Sequence, residues 1–500
     1  MSDEPWWRDA VFYEIYVRSF ADSDGDGVGD LPGVRGRLPY LGSLGVDALW
    51  LTPFYPSPGV DQGYDVSDYC AVDPQFGTLA DFDALVADAH ALGLRIVVDL
   101  VPNHTSIEHP WFREHPEYYV WRDEPNNWLS VFGGPAWHYD ERRGRYYLHL
   151  FAPEQPDLDW HDANVQREFD DVLRFWLVRG VDGFRVDVAH GLFKDPELRD
   201  EDEPVPGAEL HSFDRRRAID RPEVHPLYRR WRAAVDEGAG ERVLVGEVFF
   251  RDPDRVAAYV RPDELHLVFN FTLLFAEWDA DALRAAIDRS LASLERVGAT
   301  ATWVLESHDV TRLPTRYGGG PKGLRRARAG LLLLLALPGA AFLYQGQELG
   351  LPEVELADDE RRDPIFFRTN GARVGRDGCR VPLPWTSAPP GYGFTAGTPW
   401  LPPPAGWGER SVEAQDGAPG STLELTRAAL AARPRGRFEW RETPTGALAF
   451  ARAGVLCTVN VSGAPLECPG EVLLASEPVE GTVPADAAVW TTIDEEQERA

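Results

Sequence analysis

The chain has 500 residues and a formal net charge of -31 at pH 7. A polyanion of that size is repelled by nucleic acids and by anionic membrane surfaces, so neither is an expected partner and a small neutral molecule is favoured. An apolar fraction of 44% argues against a disordered chain, and the length allows one large domain with appendages or two to three domains.

The first apolar run, VFYEIYV (11–17), reads as a strand ending in a turn. It leads into DSDGDGVGDL (22–31). There Asp22, Asp24, Asp26, Gly27 and the carbonyl of Val28 fit the first seven positions of an EF-hand loop, but Gly33 stands where the bidentate Glu belongs. Four carboxylates so close repel one another unless a cation neutralises them. A divalent cation is therefore expected here, without the paired helices that make a sensor move.

Seven more runs follow with helical patterns between them: DALWLTPF (47–54), RIVVDLV (95–101), GFRVDVA (183–189), VLVGEVF (243–249), LHLVFNF (265–271), TWVLESHD (302–309) and AFLYQGQE (341–348). Eight strands apolar enough to be covered on both faces predict an α/β fold, a (β/α)8 TIM barrel. Residues 105–160, rich in Trp, Tyr, Phe, Pro and Gly, are too long and too aromatic for a loop and predict an inserted domain after the third strand. Further excursions follow the fourth strand, through DPELRDEDEPVPGAEL and HSFDRRRAID, and the eighth, up to PLPW. Residues 330–344 read as a buried helix and strand, too short and too interrupted at Pro338 and Gly339 to span a bilayer. After a helical pattern at STLELTRAALAARP, the runs ALAFARA, VLCTVNV and EVLLASE predict a C-terminal all-β domain, taken as a β-sandwich. The expected division is 1–104 with 161–433 for the barrel, 105–160 for the insertion and 434–500 for the β domain.

The four cysteines, Cys70, Cys379, Cys457 and Cys468, have no CxxC spacing and are expected as reduced thiols. The start, MSDEPWWRDA, has no basic segment followed by an apolar one, so a cytoplasmic protein is expected, monomeric or homodimeric. Of the 50 basic residues only Lys194 and Lys322 are lysines, a bias that carries no functional reading.

Polar residues gather where the strands end: Asp99, Asn103 and His104 after the third, Arg185 and Asp187 at the fourth, Glu247 at the fifth, His308 and Asp309 at the seventh. In a parallel barrel that end is the catalytic rim. Three acids and two histidines there can hydrolyse an acetal or hold a metal. Hydrolysis needs one ionised carboxylate to attack the anomeric carbon and one protonated carboxyl to serve the leaving oxygen. Arg185 shares a strand face with Asp187 and is expected to keep it ionised, whereas Glu247 has no basic neighbour in its own strand and is expected to keep a proton.

DLVPNH, GFRVDVAH, GEVF and ESHD resemble the four signature regions of the α-amylase family, glycoside hydrolase family 13, in their usual order, and QGQELG with GRDGCRVPLPW resembles its α-glucosidase and oligo-1,6-glucosidase branch. The likeness runs from about residue 10 to about residue 400. It implies a retaining, exo-acting α-glucosidase, with Asp187 as nucleophile, Glu247 as acid and base, and Asp309 as the third acid. It also implies that Tyr64, Asp65, His104, Phe151, Arg185, His308 and Arg376 surround the sugar, with Asp65 and Arg376 closing the far end of the pocket. By the same resemblance Asp22, Asp24, Asp26, Val28 and Asp30 hold a structural Ca2+, with Mg2+ as the alternative. The partner is then a small α-glucoside. A trehalose synthase-like isomerase or transglucosylase uses the same intermediate and is the other reading. Trp111, Trp121, Trp128, Trp137 and Trp160 are expected mainly as packing. Val188 resembles the valine of α-1,6-preferring members, but DVAHG also resembles broader ones, and one such side chain shifts discrimination by only about 1–3 kcal/mol.

Overall fold

A computed structural model describes residues 4–202, 217–237 and 241–493. All eight expected barrel strands are present: Val11–Ile15, Ala48–Leu51, Arg95–Leu100, Gly183–Val186, Val243–Gly246, Leu267–Val268, Thr302–Val304 and Ala340–Tyr344. They pair in parallel in the order seven, eight, one, two, three, four, five, six, and the ladder is interrupted between the sixth and seventh.

Alternation along each strand decides which residues look into the barrel. Val243 and Val245 join Phe12, Trp50, Val97, Phe269 and Phe342 in the inner core, while Phe184, Val186 and Leu244 belong to the layer under the helices. Phe12 and Phe342 stack with centroids 4.4 Å apart. Continuing the same period, Arg185 and Asp187 follow Gly183 on the inner face, and Glu247 follows Val245. Gly183 is required there, because a Cβ at that position would lie 2.2 Å from the Val243 carbonyl oxygen.

The outer helices include Leu79–Ala91, started by a Thr78–Asp81 capping box, and Ala163–Val178 and Ala280–Glu295, capped by Asp162 and Asp279. The insertion carries a three-stranded antiparallel sheet of Trp121–Arg122, Arg145–Leu148 and Trp137–Asp140. It is tied to the barrel by Lys194, whose ammonium meets Asp157 at 2.8 Å, Asn103 Oδ1 at 2.8 Å and the Gly191 carbonyl at 2.7 Å. The excursion after the fourth strand is described only at its ends, since 203–216 lie outside the described residues. Gly320–Ala336 and Ala340–Tyr344 are the buried helix and strand expected from the apolar run.

The C-terminal part departs from a sandwich. Its described residues form one five-stranded antiparallel sheet and a two-stranded ribbon, Leu466–Glu467 with Thr482–Val483. The sheet's inner face packs on helix Gly320–Ala336, so the helix does the covering that a second large sheet would do. Two of its strands, Glu439–Arg441 and Ala487–Thr492, lay outside the alternating runs read from sequence.

Candidate active site

One guanidinium organises the centre of the rim. Arg185 Nη1 lies 2.6 Å from Asp187 Oδ1 and 3.0 Å from Asp99 Oδ1, and its Nη2 lies 2.9 Å from Glu247 Oε2. Its carbon sits 4.9 Å over the Trp50 ring. Glu247 therefore does have a basic partner. It comes from across the ladder, where Arg185 is in register with Val245, rather than along its own strand. The expectation for Asp187 is also corrected. Burial is the larger influence and pushes its carboxyl well above the ordinary range; Arg185 opposes this, and Glu247 and Asp99 add to it. Asp99 is likewise pushed by burial, against Arg185, to about 6. A single positive charge facing three carboxylates cannot neutralise them all, so burial disfavours the ionised forms of Asp187 and Asp99.

Asp309 has the opposite environment. Burial works against its ionisation, but His308, Arg376 and Arg380 outweigh it and hold the carboxyl well below the usual carboxylate range. Arg380 Nη2 and Arg376 Nη1 reach Asp309 Oδ1 at 2.8 and 3.1 Å. Arg312 takes no part in this. It bonds the carbonyls of Gln345 and Cys379 and lies 3.5 Å from Glu306, fixing the segment that carries Arg376 and Arg380.

Asp187, Glu247 and Asp309 line one cavity, together with Asp61, Tyr64, His104, Phe132, Phe151, Val188 and Arg376 among others. Counted out to its mouth, open solvent included, it holds about 560 Å3 of empty space. Tyr64, His104, Phe151 and Arg376 are thus brought to the same cavity as the three acids. His104 is pushed by burial to about 4, which leaves its ring neutral. Arg185 and His308 lie one layer back, in an adjoining chamber shared with Glu247, Asp309, Phe249 and Phe271. Val188 takes a positive φ of 44°, a strained conformation for a β-branched residue, and donates its N–H to Glu247 Oε2 at 3.0 Å. None of Trp111, Trp121, Trp128, Trp137 and Trp160 lines the cavity.

Asp65 is a correction. It is fully buried and lines no part of the cavity, because its oxygens accept from Ser57 Oγ, Val60 N and Asp61 N at 2.8–3.0 Å. The cavity acid is Asp61, whose Oδ1 meets Arg376 Nη2 at 2.7 Å and whose Oδ2 accepts from Gln155. Both carboxylates lie in the VDQGYD stretch, and spacing alone did not separate the acid that faces the sugar from the one that shapes the loop.

The acidic loop brings Asp22, Asp24 and Asp30 together, with one oxygen of each within 4.8 Å of the others. Asp22 accepts three loop N–H groups, and burial pushes Asp30 up. Asp26 stands outside the group, with its Oδ1 taken by the Val28 N–H at 2.8 Å. Hard carboxylate oxygens at this mutual distance suit Ca2+ or Mg2+.

Residues 14–438 match the alpha-amylase catalytic domain. The chain is 41% identical to a probable alpha-glucosidase of Rhizobium meliloti (strain 1021), over 96% of this chain and 93% of that protein. It is 37% identical to an oligo-1,6-glucosidase of Parageobacillus thermoglucosidasius, over 82% and 80%. Among solved structures it resembles the alpha-glucosyl transfer enzyme XgtA at 40% identity, with a TM-score of 0.89 over 98% and 99% of the two chains. It also resembles the trehalulose synthase MutB from Pseudomonas mesoacidophila MX-45 at 30% identity, with a TM-score of 0.88 over 99% and 100%.

Proposed function

The chain belongs to the α-amylase family, glycoside hydrolase family 13, and we infer that it is a retaining α-glucosidase that removes glucose from the non-reducing end of short oligosaccharides. In this reading Asp187 attacks the anomeric carbon and forms a β-glucosyl ester, while Glu247 gives its proton to the departing oxygen. Glu247 then takes a proton from water as that water displaces Asp187. Asp309, kept ionised by its arginines, accepts hydrogens from sugar hydroxyls. Tyr64 and Phe151 offer ring surface to the sugar.

The observation that carries the reading is Arg185 gripping Asp187 and Glu247 with its two terminal nitrogens while both acids face one cavity. Carboxylates held by one guanidinium favour the separation of about 5 Å that belongs to retaining enzymes. Exo action is supported by the Asp61–Arg376 pair in the cavity wall, which in this reading closes the far end behind a single non-reducing sugar.

Transfer to a second sugar, as in a transglucosylase or a trehalose synthase-like isomerase, is the second reading. It is favoured by the likeness to XgtA and MutB. Water and a sugar hydroxyl attack the same intermediate, so products decide. Maltose, isomaltose and sucrose are each incubated with the protein and resolved by chromatography. Free monosaccharides alone support hydrolysis; trehalose or longer oligosaccharides support transfer.

A structural Ca2+ at Asp22, Asp24 and Asp30 is part of the same proposal, with Mg2+ as the alternative. No helix among the described residues is long and apolar enough to cross a membrane. The four free cysteines fit a reducing compartment, which supports a cytoplasmic location.

A further inference from the structure

Two buried groups meet behind the rim, Glu14 on the first strand and His308 after the seventh, each 1% exposed. Glu14 Oε1 meets His308 Nδ1 and accepts the His308 backbone N–H at 3.3 Å. On the other side of the ring, Nε2 lies 2.9 Å from Tyr64 Oη and 3.3 Å from Asp309 Oδ2.

The hydrogens in this chain can be counted. Tyr64 Oη has one hydrogen and gives it to Asp99 Oδ2 at 3.0 Å. Asp99 is not the donor there, because its carboxylate already faces N–H groups of Arg185 and Trp50. Tyr64 then has only lone pairs to offer His308, so Nε2 must carry a hydrogen. The ionised Asp309 makes the same demand. With Nε2–H fixed, a bare Nδ1 requires a protonated Glu14, and a protonated Nδ1 makes the ring a cation. Either way the pair holds one proton beyond those of a neutral ring and a carboxylate.

We propose that Glu14 is a positioning residue for turnover: it shares one proton with His308 Nδ1, and that proton fixes His308 Nε2 as a donor aimed at Tyr64 Oη and Asp309. Burial pushes the Glu14 carboxyl well above its ordinary range, reinforced by Asp309 and opposed by Arg185, and pushes the imidazole well below its own. Both directions rest the proton on Glu14 and leave the pair neutral. The other tautomer would set the bare Nε2 against the Asp309 carboxylate and take the Tyr64 hydrogen away from Asp99, loosening two groups that hold the rim acids.

Neutron diffraction from deuterium-exchanged crystals of the wild-type protein near neutral pH tests the assignment without reference to activity. Deuterium on Nε2, with a second between Glu14 Oε1 and Nδ1, is the expected result; a bare Nε2 overturns the proposal. A kinetic arm rests on the glucosidase reading. Glu14→Gln keeps an N–H that can donate to Nδ1, whereas Glu14→Met fills similar space without one. The Gln variant should retain at least about ten times the kcat/KM of the Met variant, with the loss in kcat rather than KM. Equal kinetics in two variants that melt like wild type overturns it. Should wild type release no product from any α-glucoside, the glucosidase reading falls while the neutron arm still decides the proton.

Discussion

Arg376 Nη2 and Asp61 Oδ1 meet at 2.7 Å in the wall of the cavity, each with little exposed surface. Arg376 keeps Asp363 and Asp309 as further partners, so Asp61→Asn leaves no unpaired buried cation behind. Its cost should therefore fall on the sugar. Asp61→Asn is expected to lower kcat/KM on maltose by about tenfold or more, with Tm within a few degrees of wild type. Asp65→Asn should do the reverse, lowering Tm through lost N–H partners while folded protein keeps most of its activity. Equal kinetic losses in the two variants would count against Asp61 as the acid that faces the sugar.

Asp187→Asn is expected to leave less than about a hundredth of wild-type kcat on any α-glucoside. The fold should not suffer, because Arg185 keeps Asp99 and Glu247, and one of three crowded carboxylates has lost its charge. Tm unchanged or raised, with turnover gone, is the expected pair of results. Steady-state kinetics and a melting curve on the same preparation check both, and turnover above that level would remove Asp187 as the nucleophile.

The strands and rim acids were legible because both are properties of single segments. A run such as VLVGEVF carries its burial and its terminal acid together, and the alternation from Val245 to Glu247 orients the acid without help from any other strand. What could not be read were partners supplied by other segments. Glu247 gets its arginine from the register between two strands, and His308 gets Glu14 from the first strand, across the eighth. Asp61 reaches the cavity through a turn with positive φ at Gln62 and Gly63, followed by a guanidinium 315 positions away. Phe132, from the insertion, enters the cavity with no periodic signal at all.

The acidic loop predicts a metal effect on stability without one on chemistry. If Ca2+ binds the folded loop and not the unfolded chain, free Ca2+ at about 100 times Kd adds about 2.7 kcal/mol. Chelation should then lower Tm by several degrees and leave kcat unchanged at temperatures where the protein stays folded. Asp24→Asn is the cleanest variant, since Asp24 is exposed whereas Asp30 also caps helix Leu31–Gly36. The rise of Tm with Ca2+ should vanish in it, and a rise as large as in wild type would place the cation elsewhere.

Glu306 predicts a pH dependence of stability. It is fully buried; one oxygen accepts the Leu313 N–H at 3.0 Å, and the other has no hydrogen-bond partner among the described residues, lying 3.5 Å from Arg312. Burial, opposed by Arg312 and Arg316, pushes its carboxyl from 4.5 to about 7. The folded form thus holds a proton between those two values that the unfolded chain has lost. The contribution is fully present below the unfolded pKa and disappears as pH rises through the folded one. It amounts to roughly 3 kcal/mol, by the conversion of pKa difference to free energy. Glu306→Gln has no such proton to lose. The Tm of the variant minus that of wild type should therefore climb steadily as pH rises from about 4.5 to about 7, the window set by the two pKa values, and level off above it. Thermal melts of both proteins across that window measure the difference. A flat difference would mean that Glu306 is ionised in the folded protein throughout, paired with Arg312 more tightly than a 3.5 Å contact implies.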